Sequence, residues 1–363
     1  MEMEKLAGRG LTGLANVGNS CYLNSCMQIL SHTHKLNTFM DSGEYKQKLN
    51  RVADSALLLE WDKLRLLMWS ENCTIAPMGF VKAVRQIAHF KHREIFTGHS
   101  QNDMQEFLLF LIDCFHTALA REVDMHISGT IENSTDLLAK TCYNMMQNMY
   151  KKEYSDMLSI FYGIHVSEIT HFETGKSLSL MPEPFSLLSL PLPSQSQSQS
   201  QSQSQSQGPS QSPSPTIFSC LDLYCQKEVL ENDNAWFNSD SNQKEKVRRG
   251  IVFWSLPTIL IIDLKRWHGH GAKQQKVHTL IQTPLSNVDF SAYVRGYNKE
   301  SYIYDLYGVC NHSGGVLGGH YTAYVKNENG KWYEFNDTAV NEIAPAKVVS
   351  QKSYCFFYRK IKG

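Results

Sequence analysis

The hydrophobic pattern of this chain changes period near residue 160, and that change limits the fold more than any other feature. Before it, apolar residues recur at helical spacing. "CYLNSCMQILSHTHKLNTFM" puts Leu23, Met27 and Leu30 on one stripe with Cys26 beside it, and "DSALLLEWDKLRLLMWS" is amphipathic. "SQNDMQEFLLFLIDCFHTALARE" opens on polar residues and then places Phe107, Leu108, Leu111, Ile112 and Phe115 on a helix face; residues 134 to 159 also read as helical. After the change come short runs rich in aromatic and β-branched residues: "EPFSLLSLPLP", "PTILIIDLKRW", "YIYDLYGVCNHS", "HYTAYVK", "KWYEFND" and "YCFFYRK". Turn residues separate them, including Asn329-Gly330 in an expected hairpin. Helices first and strands later predict an α+β protein, a helical lobe packed on an antiparallel sheet.

One stretch fits neither pattern. Residues 194–215, "SQSQSQSQSQSQSQGPSQSPSP", hold no large apolar side chain and cannot bury enough surface to offset chain entropy. Similar β-type segments flank it, so it is expected to be a disordered insertion within one domain. The helical lobe then spans about 11–160 and the β-rich part about 161–363 of a single 1–363 domain. Lys+Arg and Asp+Glu number 35 each, so no global charge draws the chain to nucleic acid or to a membrane surface. No run of about 18 apolar residues offers a spanning helix, and "MEMEKLAGRG" lacks the apolar core of a secretory signal. Nine cysteines at irregular spacing favour reduced thiols, hence a cytoplasmic protein with nuclear access left open.

Among those thiols Cys21 stands apart. In "GNSCYLNSCMQ" it sits where Gly18-Asn19-Ser20 leads into a helix, and a helix N-terminus favours the thiolate. Cys26, deeper in the helix, belongs to the packing layer. By itself Cys21 could be a small buried hydrophobe, a metal ligand or a nucleophile. A second pattern tips the balance toward the nucleophile. "GGVLGGHYTAYVK" followed by "GKWYEFNDTAV" places His320 early in one strand and Asn336-Asp337 at the end of the next. A hairpin would bring the imidazole to an amide or carboxylate that orients it while its other nitrogen faces a thiol.

These segments resemble the ubiquitin-specific protease family. "GLTGLANVGNSCYLNSCMQIL" is similar to its cysteine box, "SQNDMQEFLLFLID" to its Q-Q-D-A-x-E-F-L segment, "LPTILIIDLKRW" to its L-P-x-x-L-x-x-x-L-K-R-F strand, and "HSGGVLGGHYTAYVK" with "WYEFNDTAV" to its histidine box. The resemblance runs in family order over roughly residues 11 to 358. It implies a papain-like cysteine protease fold with a helical thumb, a β-sheet palm and β fingers. It also implies a thiol deubiquitinase, with Cys21 as nucleophile, His320 as general base and acid, Asn336 as third member, Asp337 as an auxiliary and Asn16 as oxyanion donor; Asn24 is the weaker candidate of the two asparagines. Ubiquitin ends in Arg-Leu-Arg-Gly-Gly, so the resemblance further implies Gly318 and Gly319 lining a narrow channel with Tyr321 near, and Asp103 and Glu106 meeting the arginines. Gly314-Gly315-Val316-Leu317 would form a loop closing over the tail.

The chain departs from the family at the fingertips. Two C-x-x-C pairs that would hold zinc should fall near "EITHFETG" and "ENDNAWFNSDSN", and neither stretch has a cysteine. Cys220 and Cys225 have the wrong spacing and place, and "WHGHG" reads as a loop. The expectation is therefore no metal and no cofactor, with fingers that are short or held by packing alone. The expected partners are ubiquitin and ubiquitinated proteins, met by a monomer. A protease for another ubiquitin-like modifier and a non-catalytic ubiquitin-binding scaffold are the alternatives.

Overall fold

Helices fill the first half because their apolar stripes have one another to pack against. The computed structural model describes residues 8–193, 214–239, 241–269, 274–315 and 318–361. The expected disordered insertion thus lies, up to residue 213, outside the described residues. A short strand, β1 (Gly13–Leu14), precedes α1 (Cys21–Ser31) and α2 (His34–Asp41); α3 (Asp54–Ser70) follows, then β2 (Thr74–Ile75), which pairs in parallel with β1. Next come α4 (Met78–Phe90), α5 (Met104–Leu119), α6 (Ser134–Tyr150) and α7 (Asp156–Phe161).

Two sequence expectations are corrected here. The run from Cys21 to Met40 is two helices: α1 stops at Ser31, the His32 and Thr33 amides close onto the Ile29 and Leu30 carbonyls, and Thr33 becomes the first residue outside α2. Residues 134 to 159 are likewise broken after Tyr150. Asn133 starts α6 through a capping box with Asp136. α4 is an element beyond those expectations, although Phe80, Val84 and Ile87 are spaced to bury one face, and they do.

The β-rich half forms two main sheets. β3 (Gly163–His171) lies between β4 (Ser177–Phe185) and β9 (Val247–Ser255), and β6 (Glu228–Leu230) extends β9. β7 (Trp236–Asn238) and β8 (Gln243–Glu245) make a small hairpin beyond them, in the region where zinc-binding fingertips would sit. No group of three or more His, Cys, Asp or Glu able to hold a metal exists among the described residues.

The larger sheet carries the site. It contains β5 (Leu188–Leu190), β10 (Ile259–Leu264), β14 (Ile303–Gly315), β15 (Gly318–Lys326), β16 (Trp332–Asn336), β17 (Ala339–Ile343) and β18 (Ser353–Lys360). Their spatial order is β17-β16-β15-β14-β18-β10-β5, with β13 (Val288–Asp289) added to β14. A separate pair, β11 (Trp267–His268) and β12 (Gln275–Lys276), follows β10. β10 explains why "ILIIDL" is apolar without alternation: both of its faces are covered. Ile259 and Ile261 join the core shared with α1, α3 and α5, while Leu260, Ile262 and Leu264 join a second core against α8 (Ile217–Cys225). By the same period of two, Asp263 shares the face of Ile259 and Ile261. α1 lies across β14, β15 and β16, and its eleven residues are all buried. That contact carries Cys21, at the first position of α1, onto the strand that bears His320.

Candidate active site

The lead-in to α1 is folded by Asn16. Its Oδ1 accepts from the Gly18 and Ser20 amides at 3.2 and 3.1 Å, turning the chain back toward the helix. Gly18 has φ +104°, and a Cβ there would lie 2.5 Å from His99 Nδ1, so glycine is required. Asn19, at φ +52°, donates to the His99 carbonyl at 2.9 Å. Ser20 spends its hydroxyl on accepting from the Val17 amide and makes no side-chain cap, which leaves the first amides of α1 open.

Cys21 is 2 % exposed. Burial pushes its thiol above the ordinary value, and repulsion from Asp337 adds to that; the backbone N–H groups of Tyr321, Tyr22 and Cys21 itself act the other way by hydrogen bonding to the sulfur. Burial wins, so the resting thiol keeps its proton. The Tyr321 amide contact places the sulfur one residue from His320. The His320 Nε2 lies 2.7 Å from Asn336 Oδ1. Since Oδ1 can only accept, Nε2 carries the proton and Nδ1 holds the lone pair.

Asn336 and Asp337 separate in function because the strand ends between them. Asn336 is the last residue of β16, and Asp337 turns with φ +49° into β17. Asp337 makes no hydrogen bond to His320. Its Oδ2 accepts from Asn16 Nδ2 at 3.0 Å and its Oδ1 from Asn24 Nδ2 at 2.7 Å, while its carbonyl accepts from the Leu14 amide at 2.8 Å. The turn is clamped from below: a Cβ on Gly13 would sit 2.3 Å from the Thr338 carbonyl. Asn24, buried inside α1, is a structural partner of this carboxylate.

The expected channel residues divide as sharply. The Gly319 amide donates to Gln101 Oε1 at 2.8 Å, and Gln101 Nε2 donates to the Gly319 carbonyl at 2.7 Å. A Cβ on Gly319 would fall 2.1 Å from His312 Nε2, whereas Gly318 meets nothing within 4 Å. Gly319 is therefore demanded by the chain's own packing, and Gly318 is not. Tyr321 does not offer its ring to a ligand: the ring is buried 4.6 Å from that of His312 and 6.1 Å from that of Tyr354. Of the expected closing loop, Gly314 and Gly315 end β14, and residues 316–317 lie outside the described residues. Asp103 caps α5 by accepting from the Gln105 amide at 2.9 Å and also accepts from Tyr354 Oη at 2.7 Å. Glu106 is exposed in the same first turn.

The support beneath these residues is only partly legible in the sequence. Gln101, the first residue of "QND", carried a signal. The pairing of His312 with Lys276 did not, because they are brought together only by the sheet: Lys276 Nζ donates to His312 Nδ1 at 2.8 Å. Burial holds Lys276 down to about 8 and His312 down to about 4, so the imidazole beneath Gly319 is neutral.

The family model for ubiquitin carboxyl-terminal hydrolase matches residues 12–358. Human ubiquitin carboxyl-terminal hydrolase 2 is 29% identical over 362 residues, covering 98% of this chain and 56% of that protein. The Drosophila melanogaster relative, ubiquitin carboxyl-terminal hydrolase Usp2, is 31% identical over 97% of this chain and 35% of its own length. The chain thus spans about half the length, or less, of these relatives. Among solved structures, the SAGA deubiquitinating module containing Ubp8, bound to monoubiquitin, superposes with a TM-score of 0.71 at 22% identity, over 99% of this chain and 70% of that one. The same module bound to ubiquitin aldehyde matches equally well, at 0.71 and 22%. The fold is the papain-like one of those enzymes, and the chain belongs to the ubiquitin carboxyl-terminal hydrolase family.

Proposed function

We propose that the protein is a thiol-dependent deubiquitinase, hydrolysing the isopeptide or peptide bond after the last glycine of ubiquitin through an acyl-thioester on Cys21. One observation carries this reading. The thiol at the open N-terminus of α1 meets β15 beside an imidazole whose Nε2–H is committed to Asn336.

The chemistry follows from the proton inventory. His320 Nδ1 takes the thiol proton as Sγ attacks the glycine carbonyl carbon. Asn16 Nδ2 has two hydrogens and gives one to Asp337; the other is directed to the developing oxyanion, with the Cys21 amide as a second donor. The imidazolium then protonates the leaving lysine amine, the C–N bond breaks, and ubiquitin remains as the thioester. Water enters, loses a proton to Nδ1, displaces Sγ and frees the ubiquitin carboxylate. The imidazolium returns its proton to sulfur. Asp103 and Glu106 hold the tail arginines, and Gln101 keeps the Gly319 backbone rigid beside the scissile bond. No cofactor enters this scheme. Nine unpaired cysteines support a reducing compartment as the place of work.

Ubiquitin carrying a C-terminal electrophile tests the reading directly. Covalent capture at Cys21, lost in Cys21→Ala while ubiquitin binding persists, is the expected result. Binding without capture would make the protein a scaffold. Preferential capture of a different ubiquitin-like modifier would replace the substrate.

A further inference from the structure

Beneath Asp103 lies a buried acid that the mechanism does not use. Asp263, on β10, is 1 % exposed and lies against the amide of Gln105 in the first turn of α5. Its Oδ2 accepts from Ser189 Oγ at 2.6 Å. The amide of Gln105 lies between it and Tyr354, and Tyr354 Oη donates to Asp103 at 2.7 Å. Four side chains thus form a line from the core to the surface: Asp263, Gln105, Tyr354, Asp103.

This line admits two hydrogen-bond arrangements, and one proton distinguishes them. With Gln105 Nε2 donating to Tyr354 Oη at 3.1 Å, Gln105 Oε1 stands 2.6 Å from Asp263 Oδ2. Two acceptors that close need a hydrogen between them, so Asp263 is a neutral acid. All bonds then run one way, from Asp263 through Gln105 and Tyr354 to the Asp103 carboxylate. If Asp263 is ionised, the amide must turn. Nε2 now donates to Asp263 at 2.6 and 3.0 Å, and Oε1 faces Tyr354 Oη at 3.1 Å. The single phenolic proton is then contested between Gln105 and Asp103. The conflict disappears when Asp103 receives donors from elsewhere, as from a guanidinium.

We propose that Asp263 is a proton-linked positioning residue for the cationic subsite at Asp103. When an arginine of the ubiquitin tail docks there, Tyr354 turns its proton to Gln105, the amide turns its N–H groups to Asp263, and the Asp263 proton leaves to water. This rests on the deubiquitinase reading and on Asp103 as the arginine's partner. Linkage makes the effect reciprocal: raising the pH strengthens the grip on the tail.

The surroundings place the titration in a useful range. Burial, the largest cause, and the nearby Asp103 charge raise Asp263 to about 7, against the opposing effects of Ser189 and Lys265. The other groups facing it are Tyr354 and Cys355 on β18, Cys310 on β14, and Arg266, which donates to the Ser353, Val277 and Thr279 carbonyls. Tyr354, Cys355 and Cys310 are all held in the protonated form by burial. Asp263 is therefore the group in this set that changes charge near neutrality.

The test is the affinity of the Cys21→Ala protein for monoubiquitin between pH 5.5 and 8.5, with calorimetry in buffers of different ionisation enthalpy. Binding should tighten about fivefold with rising pH, a typical coupling, and should release a proton near pH 7. Asp263→Asn keeps the one-way line, since its amide donates to Gln105, and should fix the affinity at the low-pH value with no proton release. Tyr354→Phe should also flatten the dependence by cutting the line, and ubiquitin with alanine in place of its tail arginines should do the same. In the otherwise unaltered enzyme, Asp263→Asn should change the pH profile of KM and leave that of kcat in place. Binding that is flat with pH, or a slope surviving in Asp263→Asn, would overturn this inference alone. Failure to bind ubiquitin at any pH would overturn the deubiquitinase reading and this inference together.

Discussion

At the scale of single residues, adjacent positions in the sequence are assigned to different tasks by one change of backbone direction. Asn336 ends its strand and meets His320; Asp337, in the left-handed region, meets Asn16 and Asn24 instead. Asn336→Ala should therefore lower kcat by releasing the imidazole. Asp337→Ala should lower it through Asn16, by up to about 10²-fold if the oxyanion donor is fully lost. The informative pair is Asp337 with Asn16. Their double alanine variant should be hardly worse than the more damaging single one, because they act as a unit. Multiplying effects in kcat/KM on a fluorogenic ubiquitin substrate would show that they act separately. Gly319→Ala makes a different demand: its new methyl must displace the His312 ring, so both melting temperature and turnover should fall.

At the scale of elements, legibility followed the range of the interactions concerned. α3 and α5 were readable because a helix face repeats within the segment itself, and the strand carrying His320 because its glycines and hairpin are local. The break at His32-Thr33 was not, since Thr33 is held by Tyr307 Oη at 2.8 Å, a residue of β14 far along the chain. The finger strands β3 and β9 were also missed, as each mixes charged and apolar residues with no turn dipeptide at its ends. In the site, Cys21, His320 and Asn336 were legible from spacing and resemblance. The Asp337–Asn16 contact was not, because it depends on the sign of one φ angle. The insertion belongs to this scale too. Replacing residues 194–213 with a short Gly-Ser linker should leave the melting temperature and monoubiquitin kinetics nearly unchanged, since loop closure entropy grows slowly with length. A large drop in melting temperature would give those residues a structural role.

At the scale of the whole molecule, the acid limb of stability is set where helices meet the sheet. His32, buried against Trp69 of α3 and Phe335 of β16, and His312, beneath Gly319, are both held down to about 4 by burial. The folded state therefore binds fewer protons than the unfolded one between pH 6.5 and 4, and stability falls as the pH drops through that window. Asp263, raised to about 7, works in the opposite sense: its contribution falls as the pH rises from 4 to 7. Each unit of difference is worth about 1.4 kcal/mol, so two histidines outweigh one carboxyl. Denaturation at pH 6.5 and 4.5 should show a clear loss at the lower value, and His32→Gln should reduce that loss. A pH-independent midpoint would contradict both assignments. The clasp of Gly13 and Leu14 on the turn at Asp337 and Thr338 also bears on time. On a ribosome adding about 10 residues per second, the nucleophile is made some half a minute before the turn that steadies its oxyanion donor. Until residue 320 is added the growing chain carries the Cys21 thiol without His320, and until residues 336 and 337 are added it lacks Asn336 and the carboxylate that steadies Asn16. The proposed thiol chemistry is thus withheld until the last hairpins close over the first strand.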